Sequence, residues 1–377
     1  MTTVLVAGDF CVKDRMVPII NNGNYELLFP DSFINSTRVD YKVVNFECSV
    51  ADPSIHSPIH KSGPTLCCRE NAIDALMYAG FNCFTLANNH IYDYGEAGIN
   101  GVLYKAQKGG IDTVGGGRNL HEASSILYKD LNSCRVAFIN CCEHEFTIAT
   151  ERTGGANPLD TIQQYYSIQE AKNNADFVIL IVHGGLEHLQ YPSKRMIQTY
   201  RFFVDAGADV VINHHQHCIN GMEIYNSKPI FYGLGNFCFD WNGKRNDKWN
   251  LGYMVKLVLS NTIRYEIIPY VQCDKTVGVH LLEDEYKNRF FADFNSLCSI
   301  IQDESMICEI NHTFAIENAQ RYKMLFEPYF GRAGVSMYYR GLLPSFINKK
   351  SVLTKIDCIG CESHRDALLD VLNTIKR

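Results

Sequence analysis

No basic block, no long apolar run and no internal repeat marks this sequence. Without a dense cluster of Lys and Arg, and with a formal net charge of −6, the chain offers no electrostatic footprint for nucleic acid or for an anionic membrane surface. No stretch reaches the roughly 18 uninterrupted apolar residues that a spanning helix needs, so no integral membrane segment is expected. The N-terminus, MTTVLVAGDF, lacks both a basic leader and an extended apolar core, so it does not read as a signal peptide. The absence of repeats and low-complexity tracts argues against solenoids and disordered linkers. Charged residues are only 20% of the chain, beside 46% apolar ones, an ordinary globular balance that permits a sizeable core.

Cysteine is plentiful, with fifteen residues scattered and partly adjacent, as at Cys67–Cys68 and Cys141–Cys142. An odd count in a long chain with no leader points to reduced, mostly buried thiols and a cytoplasmic location. Cys358-x-x-Cys361 with His364 resembles half of a zinc site, but a closed structural site needs four ligands. These are read as core thiols in front of the last helix.

Short β-branched runs that end in polar residues recur along the first two thirds of the chain. They are VLVAGDF (4–10), KVVNFE (42–47), FNCFTLANNH (81–90), RVAFINCCEHE (135–145), DFVILIVHGGLEH (176–188), DVVINHHQH (209–217) and PIFYGLGNF (229–237). Helical spacing falls between them, over 70–80, 95–110, 167–175 and 192–207. Alternating strands and helices imply an α/β architecture with a parallel or mixed sheet, whose functional residues gather outside the carboxyl ends of the strands. Past about residue 270 the texture turns helical. A boundary is placed there, with residues 1–270 as one domain and 271–377 as a helical extension. A last helix carries Leu368, Val371, Leu372 and Ile375 on one stripe.

The strand ends pool Asp9, Glu47, Asn89, His90, His183, His215 and His217. Carboxylate, amide and imidazole donors suit Mn, Fe, Zn or Mg, and this set is large enough for two divalent ions sharing a carboxylate. Such a pair promotes hydrolysis at a phosphoryl or carbonyl centre. His215 and His217, at alternate positions of an extended segment, face one side. Glu187 is read as a partner of His183 or as a base. Lys61 in HKSGP is read as a holder of an anionic substrate group, and Asn236 as a substrate-side residue at the mouth. Glu143, His144 and Glu145 border the same crevice, and GGG at 115–117 reads as a turn.

Six motifs in order, GDF (8–10), NFE (45–47), LANNHIYDYG (86–95), HGGLEH (183–188), GADVVINHHQH (207–217) and YGLGNFCFD (232–240), resemble the CapA family of bacterial capsule (poly-γ-glutamate) synthesis proteins. That family's domain is similar to the calcineurin-like metallophosphoesterases, and the resemblance covers about residues 2–260. It implies a four-layer α/β/β/α sandwich with a smaller helical C-terminal region. It implies metal ligands Asp9, Glu47, Asn89, His183, His215 and His217, and a histidine, His90, that serves the leaving group or the transition state. Where phosphoesterases carry Asp-x-His in the first motif, the third residue here is Cys11. The expected activity is metal-dependent hydrolysis of a phosphoester or amide in a small anionic or polymeric substrate, in the setting of capsule biosynthesis. The alternative is an accessory protein that binds polymer or partner without turnover. Oligomeric state is left open.

Overall fold

The computed structural model describes residues 1–376. It comprises two compact units, Met1–Cys308 and Glu309–Arg377.

Two mixed sheets form the centre of the first unit. One runs, from edge to edge, through Val279–Leu281, Ile263–Gln272, Leu251–Leu259, Thr2–Cys11, Tyr41–Phe46, Cys83–Thr85 and Asp112–Val114, with Asn236–Phe239 also paired to Thr2–Cys11. The other orders Met222–Tyr225, Lys228–Phe231, Val210–His214, Phe177–His183, Cys134–Cys142 and Leu127–Leu131. Pairing is parallel at the centre of each sheet and antiparallel towards an edge. Alternate residues of the central strands face the partner sheet. Val4, Val6 and Val43 thus pack with Phe138, Ile179, Ile181, Val210 and Ile212 in one shared core.

The opposite faces are covered by helices. Asn71–Tyr78 packs its buried residues into the core outside the first sheet, as does Gly95–Lys108. Thr161–Asn174 and Lys194–Asp205 do the same outside the second sheet. Asp160 and Ser193 cap those last two helices through their side chains. The four-layer α/β/β/α sandwich is therefore the observed architecture. Each fully buried Val, Ile, Leu or Phe of these three cores contributes about 1.5–3 kcal/mol.

Three departures from the sequence reading bear on the site. PIFYGLGNF is not one strand. Lys228–Phe231 belongs to the second sheet and Asn236–Phe239 to the first, and the chain crosses over at Gly233–Gly235. The run 81–90 keeps only Cys83–Thr85 as strand, because the Asn88 side chain captures backbone groups and turns the chain. The first unit also continues beyond residue 270. Helix Asp284–Ile301 buries Phe290, Phe294 and Leu297 against Tyr253 in the core between the sheets.

The second unit is helical, with Gly331–Tyr339, Lys349–Gly360 and Glu362–Lys376 among its elements. Leu368, Val371 and Leu372 are exposed there, while the side chain of Ile375 lies outside the described residues. Cys358 and Cys361 are half-buried rather than in a core. Among the described residues, no helix is long and apolar enough to cross a membrane.

Candidate metal centre

The carboxyl ends of the central strands of both sheets meet at one buried floor. On the first strand, Asp9 sits at an irregularity in the pairing on both sides. Gly8 makes that close approach possible, since a Cβ there would lie 1.9 Å from the carbonyl oxygen of Gly235. Asp9 then accepts a hydrogen bond from Asn45 Nδ2 at 2.7 Å on Oδ1 and from the backbone N–H of His215 at 3.3 Å on Oδ2.

Glu47 follows the second strand and is fully buried. Its Oε1 lies 3.8 Å from Nε2 of His183 and 3.8 Å from Nε2 of His217. Neither Glu47 oxygen has a hydrogen-bond partner among the described residues. The Nε2 of His183 also faces Asn89 Oδ1 at 3.1 Å and His215 Nδ1 at 3.1 Å. Two sets of donors result, Glu47–His183–His215 and Asp9–Glu47–His217, each with its atoms within 4.8 Å of one another. Glu47 is common to both.

Burial without a counter-charge sets the electrostatics. It pushes the Asp9 carboxyl up to about 7, against the opposing hydrogen bonds from Asn45 and His215. It pushes Glu47 well above the usual carboxylate range, and the neighbouring charge of Asp9 adds to this. His183 and His217 are held well below the usual imidazole range, first by burial and then by neighbouring imidazoles.

A buried carboxylate with two orphaned oxygens is costly unless something positive meets it. The two imidazoles converging on it are held towards their neutral form and bring no positive charge. A divalent cation held there would meet the carboxylate and take up the imidazole and amide donors together. The donor set, oxygen and nitrogen without thiolate, suits Mn, Fe, Zn or Mg.

The approach of His215 and His217 has a different origin from the one their spacing implies. The strand ends at His214, and both histidines adopt positive φ, +98° and +55°. Their rings come within 6.2 Å through a strained loop, not through alternation along an extended segment.

His90 is buried beside this floor. Its Nδ1 lies 2.6 Å from Oδ2 of Asp93, which also accepts the backbone N–H of Leu66 at 2.7 Å. Burial lowers the imidazole of His90, and Asp93 opposes that shift.

Lys61 and Asn236 take places other than those expected, and Glu187, whose charge is felt at Glu47, is not the partner of His183. The ammonium of Lys61 is committed to Asp93 Oδ1 at 2.5 Å and to the carbonyl of Asn89 at 2.9 Å, so it is not free for a substrate anion. Asn236, fully buried, faces His217 Nδ1 with its Oδ1 at 2.9 Å and donates to the carbonyls of His217 and Trp249. It orients a histidine and leaves nothing for substrate. Glu187 is exposed, and Nδ1 of His183 is met instead by Asn45 at 3.3 Å.

Cys11, where phosphoesterases carry histidine, packs in the outer core beside the thiol of Cys48. Glu145 reaches the rim, with Oε2 3.3 Å from Asn89 Nδ2 and Oε1 3.7 Å from His215 Nε2. Glu143 pairs with Arg195 and accepts the N–H of Gly185. Gly116–Gly117 forms a two-residue strand against Gly155–Ala156, not only a turn.

The sequence reading gives Asn45, Asp93, His214 and Trp249 no role in the site. Asn45 and Asp93 stand inside quoted motifs, and His214 inside the HHQH run, so the signal was proximity to ligands. The Nδ1 of His214 lies 3.4 Å from Asp9 Oδ1, and burial holds this imidazole down to about 3. The ring of Trp249 lies 4.6 Å from that of His217, a contact no spacing announces.

The model of the family described as bacterial capsule synthesis protein PGA_cap matches residues 3–241. The chain belongs to that family. It is 31% identical over 254 residues to the capsule biosynthesis protein CapA of Bacillus anthracis, covering 63% of this chain and 60% of the relative. It is 34% identical over 244 residues to the PGA biosynthesis protein CapA of Bacillus subtilis, covering 61% of each. The match thus spans about three fifths of the length of these relatives. Among solved structures, a phosphatase of Mycoplasma pneumoniae aligns with a TM-score of 0.44 and 14% identity, over 73% of this chain and 95% of its own.

Proposed function

We infer that this chain is a metal-dependent hydrolase of a phosphoester or amide bond, acting on an anionic substrate in capsule or poly-γ-glutamate biosynthesis. Asp9, Glu47, Asn89, His183, His215 and His217 would hold two divalent cations. The observation that carries this reading is Glu47, whose unpartnered oxygens are shared by both donor sets. Bound there, the cations would polarise the scissile group and lower the pKa of an attacking water.

The protein's own residues do the rest. Asn236 accepts from Nδ1 of His217 and leaves that ring's Nε2 bare towards Glu47, while Nδ2 of Asn45 holds the ring of His183 with its Nε2 also turned to Glu47. Asp93, itself tied to Lys61, fixes Nδ1 of His90. Nε2 is then the atom through which His90 exchanges a proton with the leaving oxygen. Burial of the floor keeps bulk water from competing with substrate.

A second reading, polymer binding without turnover, is favoured by Cys11 in place of a histidine, which leaves the Asp9 set with a single imidazole. The test is element-resolved metal content, followed by turnover of generic phosphodiester, phosphomonoester and γ-glutamyl substrates with and without chelator. Chelator-sensitive turnover supports the hydrolase. Stoichiometric metal with no turnover on any of the three substrates supports the accessory role, and protein that takes up no metal defeats both.

A further inference from the structure

Immediately after Glu47 the chain carries Cys48, whose Sγ lies 3.3 Å from the Sγ of Cys68. The two thiols are brought together by a short parallel pairing of Ser49–Val50 with Cys67–Cys68. Cys48 is fully buried and Cys68 is 6% exposed. A cleft of about 160 Å³ reaches Cys68 from outside, lined by Cys67, Cys68, Arg69, Asn71 and Val12 among others, while Cys48 lies behind it. Neither cysteine belongs to the donor sets described above.

We propose that Cys48 and Cys68 form an oxidisable thiol pair, closed to a disulfide by a hydroperoxide entering through this cleft, and that closure is felt at Glu47. The first step takes place at Cys68. Its sulfur attacks one oxygen of hydrogen peroxide, the O–O bond breaks, and the departing hydroxide takes the thiol proton to leave as water. Cys68 is then a sulfenic acid. The sulfur of Cys48 attacks that sulfur, the S–O bond breaks, and the released hydroxide leaves as water with the Cys48 proton. Two thiols have lost two electrons to one peroxide, giving one disulfide and two waters.

A disulfide holds its sulfurs at about 2.05 Å, so closure draws the pair together by roughly 1.2 Å. Cys48 is covalently next to Glu47. Ser49, the next residue, donates through Oγ to the carbonyls of His90 and Ile91 at 3.2 and 3.0 Å. The contraction therefore pulls on the shared carboxylate and on the turn that carries His90. The part of the proposal that concerns Glu47 rests on the metal reading, whereas bond formation does not.

The experiment uses full-length protein, purified under reductant, freed of it and treated with hydrogen peroxide. Peptide mapping after alkylation should find a Cys48–Cys68 linkage in the wild type and none in Cys68→Ser or Cys48→Ser. Absence of the linkage in the wild type, or oxidation confined to other cysteines, overturns the proposal. Manganese titration then reads the coupling. Peroxide should weaken binding about tenfold in the wild type and leave Cys68→Ser unchanged. A linkage that forms without altering manganese binding refutes the coupling, and a reduced protein that binds none of manganese, iron, zinc and magnesium refutes the metal reading instead.

Discussion

Oδ2 of Asp93 stands 2.6 Å from Nδ1 of His90, a buried pair three residues apart in one turn. Asp93→Asn replaces an anionic acceptor with a neutral amide while leaving the Glu47 donors in place. Turnover should fall by about 10²–10³-fold, with metal content unchanged and an altered pH profile. Steady-state kinetics beside elemental analysis check this. Loss of metal in the variant would mean that Asp93 serves the floor rather than His90.

Asn45 donates to Asp9 and faces His183, so one amide braces both donor sets. Asn45→Leu keeps the volume and removes the donor. Cation affinity should drop about 10–100-fold by calorimetric titration, with the circular dichroism of the fold retained. Unchanged affinity would show that the two ligands orient themselves.

Gly8 has no room for a methyl group against the Gly235 carbonyl. Gly8→Ala must shift either the first strand or the crossover that carries Asn236. It should cost about 3 kcal/mol or more in denaturant unfolding, and a cost below about 1 kcal/mol would show that this approach is loose.

Lys42 is buried under the first sheet, with Nζ 3.0 Å from both Thr37 Oγ1 and the Ala79 carbonyl. Burial, then the neighbouring charge of Arg38, brings it down to about 8. The unfolded chain holds this proton to about 10.4. Between those values the unfolded state binds more protons, so this group makes stability rise with pH. Below about 8 its destabilising contribution is constant. The Tm of Lys42→Met, measured relative to wild type, should therefore fall as pH is raised from about 8 to about 10. A difference that does not move with pH would place the charge in contact with water.

The strand ends were legible because β-branched runs closing in Asp, Asn or His are rare outside a shared crevice, and six motifs stood in order. Glu47 and His183 could be read that way. The crossover at Gly233–Gly235 was not, since an apolar run shows its burial but not which sheet buries it. Lys61 was misplaced for a related reason. Its partner, Asp93, lies 32 residues away, and no local pattern announces a buried ion pair closed by tertiary contact. Asn236 and Asn45 look like turn residues until the rings they orient are in view. Helix Asp284–Ile301 reads as the start of a separate domain because its apolar stripe is matched by Tyr253 and the segment around Gly221 and Met222, far back in the chain.

The backbone at His215 and His217, with its positive φ, has one more implication. Glycine would sit there without steric penalty, so each of these non-glycine residues costs about 1–3 kcal/mol of folding free energy. The protein is consequently less heat-resistant than its own scaffold would allow. On the proposed metal reading, a cation bound between these residues would offset that cost, and a melting temperature that rises with added metal would show it.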